Sequence, residues 1–160
     1  TVRFVDLDPP RLLVTGRTSY YLSAFGEHLI EEEIVRGVTE AAKAIGREVT
    51  DYSVGAVFPK ERGELGGHLY VVEFHGGPVA PEELGRFAET LDRRLCALNE
   101  DYEAHRSDGF GLNPPTILPV PEGTFAAWMK SRGKLGGQNK VPRIITKQEL
   151  FDDLVNFARN

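Results

Sequence analysis

The sequence predicts an α+β fold in which helices pack on small, mostly antiparallel sheets. Three observations predict it. Two long segments repeat apolar residues at three and four positions, which is the period of a half-buried helix. Short apolar runs bounded by proline, glycine and charge read as strands. The resulting order is two strands, a strand, a helix, two strands, a long helix, a strand and two helices, which suits helices on a small sheet.

Val2 to Leu7 and Arg11 to Thr15 flank Asp8-Pro9-Pro10 and read as a hairpin-like strand pair. Ser19 to Ser23 reads as a further short strand, and Gly26 then punctuates the chain. Ile30 to Ile45 is the first helix. Glu31, Glu32 and Glu33 offset the positive end of its dipole, Ile30, Ile34, Val38, Ala41 and Ile45 lie on one face, and Gly46 closes it. Val49 to Phe58 and His68 to Phe74 are two strands joined by a charged, glycine-rich loop, Pro59 to Gly67. Pro81 opens the longest helix, with Leu84, Phe87, Leu91, Leu95, Leu98 and Tyr102 as one stripe for packing onto the sheet.

Asn113-Pro114-Pro115 breaks that pattern, and Thr116 to Val120 is a short strand. Thr124 opens a short helix through Arg132, with Gly133 past its end. Thr146-Lys147-Gln148-Glu149 has the form of a capping box before a last helix carrying Leu150, Leu154 and Phe157.

At 160 residues the chain is the size of one domain, and its 41% hydrophobic content allows a core. The net charge of -5 argues against general nucleic-acid binding. No apolar run reaches membrane-spanning length and no signal peptide opens the chain, so neither a membrane nor nucleic acid is an expected partner. A single cysteine, Cys96, fits a reducing, cytoplasmic setting and falls in an apolar helical pattern, as core filler does. His28, His68, His75 and His105 lack metal-ligand spacing, so no metal site is expected. The chain starts at Thr1 and runs at once into a strand, as an excised domain would.

Charge is unevenly spread. Gly123 to Gln148 holds Lys130, Arg132, Lys134, Lys140, Arg143 and Lys147 without an acid, so the rest of the chain carries -11. Such a window suits an anionic ligand or partner, or simply a solvated face. Inside it, Gly133 to Arg143 combines glycines that admit close backbone approach with lysine, a compact cation suited to a phosphate oxygen. P-loop spacing is absent, and a flexible surface turn is the other reading. A second constellation, Thr15 to Glu27, places Arg17 after a strand, where it could bind a carboxylate, a phosphate or ribose hydroxyls, or form an ordinary ion pair.

These stretches carry a resemblance. Thr15-Gly16-Arg17, then Phe25-Gly26-Glu27 and Glu33-Ile34, resemble the hinge motif of the acyl-CoA synthetase, peptide-synthetase adenylation domain and luciferase superfamily. Gly123-Thr124-Phe125, Arg132-Gly133 and Gln138 to Arg143 resemble more specifically the C-terminal domain of the auxin-responsive Gretchen Hagen family, whose plant members are acyl acid amido synthetases.

The resemblance implies the C-terminal lid domain of a larger adenylate-forming ligase, with residues 1–19 as hinge and linking strands and 20–160 as the lid body. A carboxylic acid would be adenylated by ATP, with Mg as its companion ion, and the acyl group passed to an amine such as an amino acid. The N-terminal adenylation domain of the same chain would be the partner, so this domain alone would hold no cofactor firmly and would be inactive. Lys140 matches the lysine that reaches ATP phosphates, Arg17 the arginine near the ribose, and Arg143 follows the lysine as its support in nucleotide binding. Thr18 and Ser19 match the hinge, although an acid or lysine is usual at Ser19. Gly26 and Glu27 match the loop that approaches the acceptor site. The alternatives are the lid of a thioester-forming acyl ligase and a non-catalytic module that holds an anion or a partner.

Overall fold

The structure is a computed structural model that describes residues 2–7, 10–14, 21–107, 111–134 and 140–160, with side chains from residue 21 onward. Strand β1 (Val2–Leu7) pairs antiparallel with β2 (Pro10–Val14), the expected hairpin, with Leu7 opposite Pro10. Strand β3 (Tyr21–Leu22) pairs antiparallel with β4 (Leu29–Ile30). Helix α1 (Glu31–Ala44) follows directly. Strands β5 (Val49–Val57) and β6 (Gly67–Phe74) form a long antiparallel pair. Helix α2 (Pro81–Leu98), helix α3 (Glu100–Arg106), strand β7 (Thr116–Val120), helix α4 (Thr124–Ser131) and helix α5 (Gln148–Arg159) complete the described order.

The central sheet has the order β5-β6-β7, with β7 parallel to β6. A parallel neighbour needs a long crossover, and α2 and α3 supply it. Because β6 lies in the middle with both faces covered, all eight of its residues are buried. Alternation along the strands then makes two cores. Tyr52, Val54, Tyr70 and Val72 face α1 and α2, where they meet Ile34, Val38, Phe87, Leu91 and Leu95. Leu69 and Val71 face the other way, against Phe125, Trp128, Phe151 and Leu154 of α4 and α5. On that face a Cβ at Gly55 would lie 2.5 Å from the Phe151 ring, so only glycine lets α5 approach β5 so closely.

Local signals explain most ends. Past α4, Gly133 takes φ +67° while its N–H donates to the Lys130 carbonyl and that of Lys134 to Met129, an αL stop of the expected kind. Gly46 ends α1 in the same way.

Three expectations are corrected. Ile30 is not on the buried face of α1; as part of β4 it pairs with Tyr21 and is exposed. The stripe from Leu84 to Tyr102 is not one helix. Asn99 leaves helical geometry, and its side-chain oxygen accepts the Tyr102 N–H at 2.8 Å, which caps a separate α3. At α5 the capping residue is Lys147 with no side-chain cap bond, so Thr146 closes no capping box.

Candidate functional site

The segment from Pro142 to Ile145 lies along the edge of β5. The Val54 N–H donates to the Arg143 carbonyl at 2.8 Å, and the Ile145 N–H donates to the Val54 carbonyl at 2.9 Å. Val54 and Ile144 form a parallel bridge, so this stretch extends the sheet by one short strand-like contact. The buried Ser53 hydroxyl donates to the Pro142 carbonyl at 2.7 Å. Lys140, just upstream of these anchors, is exposed. The outcome is a mobile-headed cation on a fixed base, since a lysine stem is flexible while the backbone beside it is paired.

Arg143 is also exposed, but its guanidinium lies over the Tyr52 ring, 4.9 Å from the centroid. Burial disfavours its charge, yet Tyr52, Asp51 and Glu31 outweigh that and strengthen its hold on the proton. It borders a cleft of about 410 Å³ with Lys43, Arg47 and Asp51. Burial pushes the Asp51 carboxyl up, against the pull of the Tyr52 amide and of Arg143.

The basic window is not one patch. Arg132 lies on the other face of the sheet, paired to Asp153 at 2.8 Å and placed 5.4 Å from the Trp128 ring centroid, while Arg143 covers Tyr52. Sequence spacing gave no hint of this split, because each arginine is placed by an aromatic ring on a different face of the sheet.

The other constellation converges on the same edge. Tyr21 and Ser23 line a cleft of about 510 Å³ whose opposite wall is Phe58, Ile145, Thr146 and Gln148. Tyr21 and Phe58 are both largely exposed there. The structure therefore places the middle of the first constellation, Tyr21 to Ala24, against residues just past the second motif. Arg17, Thr18 and Ser19 lie outside the described residues.

Gly26 and Glu27 stand differently from each other. Gly26 takes φ +99° and is half-exposed. Glu27 is fully buried and turns inward. Its Oε1 accepts the Ala24 N–H at 3.1 Å and lies 2.8 Å from His68 Nε2, and its Oε2 accepts the Phe25 N–H at 2.8 Å. Burial, the largest single influence, pushes this carboxyl up, but the His68 hydrogen bond, backbone amides and the His68 charge together hold it below the ordinary range.

Sequence reasoning missed His68 and Glu73. Both stand in β6, the wholly buried strand. A buried polar side chain must find a partner. Glu73 finds the Gly123 and Phe125 amides at the start of α4. A histidine and a glutamate in so apolar a run are the signal that could have found them. Among the described residues no group of three or more His, Cys, Asp and Glu side chains could hold a metal ion, and no helix is long and apolar enough to cross a membrane.

Comparison with known proteins places this architecture. The GH3 family C-terminal domain matches residues 32–149. A solved GH3.15 acyl acid amido synthetase superposes with a TM-score of 0.74 at 22% identity, covering 92% of this chain and 27% of that one. AtGH3.15 acyl acid amido synthetase in complex with 2,4-DB superposes at 0.72 with 21% identity and the same coverages, 92% and 27%. The chain thus spans about a quarter of the length of these solved relatives. No curated protein matches it.

Proposed function

We infer the function from one premise: this chain belongs to the GH3 family, as that family's C-terminal domain. It is read as the lid of an ATP-dependent acyl acid amido synthetase, working against an N-terminal adenylation domain of the same polypeptide. The observation that carries the reading is Lys140. It is an exposed cation held at a sheet edge by the backbone pairing of Arg143 and Ile145 with Val54.

In the first step a carboxylate oxygen attacks the α-phosphorus of ATP. The bond to pyrophosphate breaks, giving the acyl-adenylate. Lys140 donates to an α-phosphate oxygen as negative charge grows there. Arg17 contacts the ribose side of the nucleotide. Arg143, tied to Tyr52, holds the Lys140 segment in register and adds positive field. In the second step an amine nitrogen attacks the acyl carbonyl, the bond to AMP breaks, and the amine loses a proton. Turning of the lid about Thr18 and Ser19 brings the Gly26 loop to the site for that step. Isolated, the 160-residue chain lacks the facing wall and turns over no ATP.

The test is acid-dependent ATP–pyrophosphate exchange in the two-domain enzyme, with Lys140→Ala beside it. Exchange in the parent should fall by about a hundredfold or more in the variant. As Lys140 is an exposed side chain, stability should change by less than about 0.5 kcal/mol. Equal exchange in variant and parent would remove Lys140 from the chemistry.

A further inference from the structure

We propose that His68 is a positioning residue for amide transfer: acting through Glu27, it fixes the Ala24–Glu27 turn whose main chain meets the acyl-adenylate in the second step. This rests on the ligase reading above.

The turn has an inside and an outside. Inside lies the Glu27 carboxylate, fully buried, with both oxygens spent on the Ala24 and Phe25 amides and on His68. Outside lie Ala24 and His28, which are exposed, and Gly26, which is half-exposed. A carboxylate so enclosed cannot reach an incoming amine to take its proton. What the turn can offer a substrate is therefore its backbone, and the role of Glu27 is to set that backbone's shape.

His68 is what makes this arrangement possible. An ionised carboxylate out of contact with water needs charge-assisted partners. Two amides come from the turn itself, and the third partner is His68 at the start of β6, with its side chain 2% exposed. It is the contact in this set that comes from outside the loop, and so it ties the loop to the sheet.

Packing holds His68 in turn. Its ring stacks on Tyr102 with centroids 6.1 Å apart and an interplanar angle of 24°, and Phe25 lies 6.1 Å away on another side. The Tyr102 hydroxyl donates to Asp92 at 2.7 Å, and Arg106 clamps both oxygens of Asp92 at 2.7 Å each. A continuous chain of contacts thus runs from the turn to the helices behind it, buried at Glu27, His68 and Tyr102 and part-buried at Asp92 and Arg106. Gly26 leaves no slack either, because a Cβ there would lie 3.0 Å from the His105 ring.

The two-domain enzyme tests this with His68→Leu and His68→Gln, read in both half-reactions. His68→Leu removes the donor; His68→Gln restores an N–H near the same place. The expected result for His68→Leu is exchange within about twofold of the parent and amide formation down by about tenfold to a hundredfold. His68→Gln should recover most of the loss, which a packing role would not give. Equal losses in both half-reactions, or no loss in amide formation, would overturn the proposal while leaving the ligase reading intact. A parent without acid-dependent exchange would overturn both.

Discussion

Replacing Glu73 by alanine tests how much one buried carboxylate holds α4 to the sheet. Glu73 is on β6 and 5% exposed, and its two oxygens accept the Gly123 N–H at 2.9 Å and the Phe125 N–H at 3.2 Å. Those amides are at the start of α4, whose capping residue Gly123 has no side chain to cap with. The carboxylate therefore acts as a cap supplied from another element, and it faces the positive end of the helix dipole. In Glu73→Ala the Phe125 amide remains buried and unpaired, a loss of about 1–3 kcal/mol. Gly123 is exposed, so water replaces its partner and little is lost there. Relief of carboxylate desolvation returns part of the total. The expected loss is about 2 kcal/mol, or a fall in Tm of about 4–8 °C. Urea unfolding of the 160-residue chain measures it, followed by Trp128, which is in α4 and 1% exposed. A loss below about 0.5 kcal/mol at unchanged slope would refute the capping argument.

Two further predictions concern buried polar groups. The Tyr70 hydroxyl is buried without a hydrogen-bond partner among the described residues, whereas that of Tyr102 donates to Asp92. Tyr70→Phe should thus leave stability unchanged or raise it, and Tyr102→Phe should lower it by about 1–2 kcal/mol; denaturant midpoints in the reverse order would refute this. Glu27 titrates below its ordinary range in the folded chain, so the unfolded state binds more protons as pH falls. Its contribution is present above the unfolded value of about 4.3 and is lost as pH drops from there through the lowered folded value. Urea midpoints between pH 7 and acid should fall less steeply in Glu27→Gln than in the parent, and equal slopes would refute the sign.

The regular elements were legible because each carried a local signal. Ile34, Val38 and Ala41 marked the buried face of α1, and Gly46 and Gly133 marked helix ends that need an αL residue. What failed was decided by partners distant in sequence or by a local choice between two good signals. The apolar stripe continued through Asn99, yet asparagine before Glu100 and Asp101 was itself a capping signal, and the cap won. Thr146 offered a capping box, but pairing of Ile145 with Val54 holds the chain just before it, and the helix begins one residue later than such a box requires. Lys140 and Gly26 were singled out by motif, and the structure leaves the first exposed and the second half-exposed. The inward turn of Glu27 was not legible, because its partner His68 is 41 positions away.

The two motifs become one device through the central β-hairpin. The Lys140 segment is pinned to the middle of β5 by Ser53 and Val54. The Gly26 turn is pinned to the start of β6 by His68. Eight register pairs between β5 and β6 fix those two anchor points relative to each other. A rotation about residues upstream of Tyr21 would then carry both anchors together. One motif could not advance on a substrate without displacing the other. On the ligase reading proposed above, alternation between phosphate chemistry and acyl transfer would follow from that coupling, with no need for a separate signal between the two sites. The histidine in this largely apolar strand supplies that tie: without His68, the turn could drift while the Lys140 edge stayed in place.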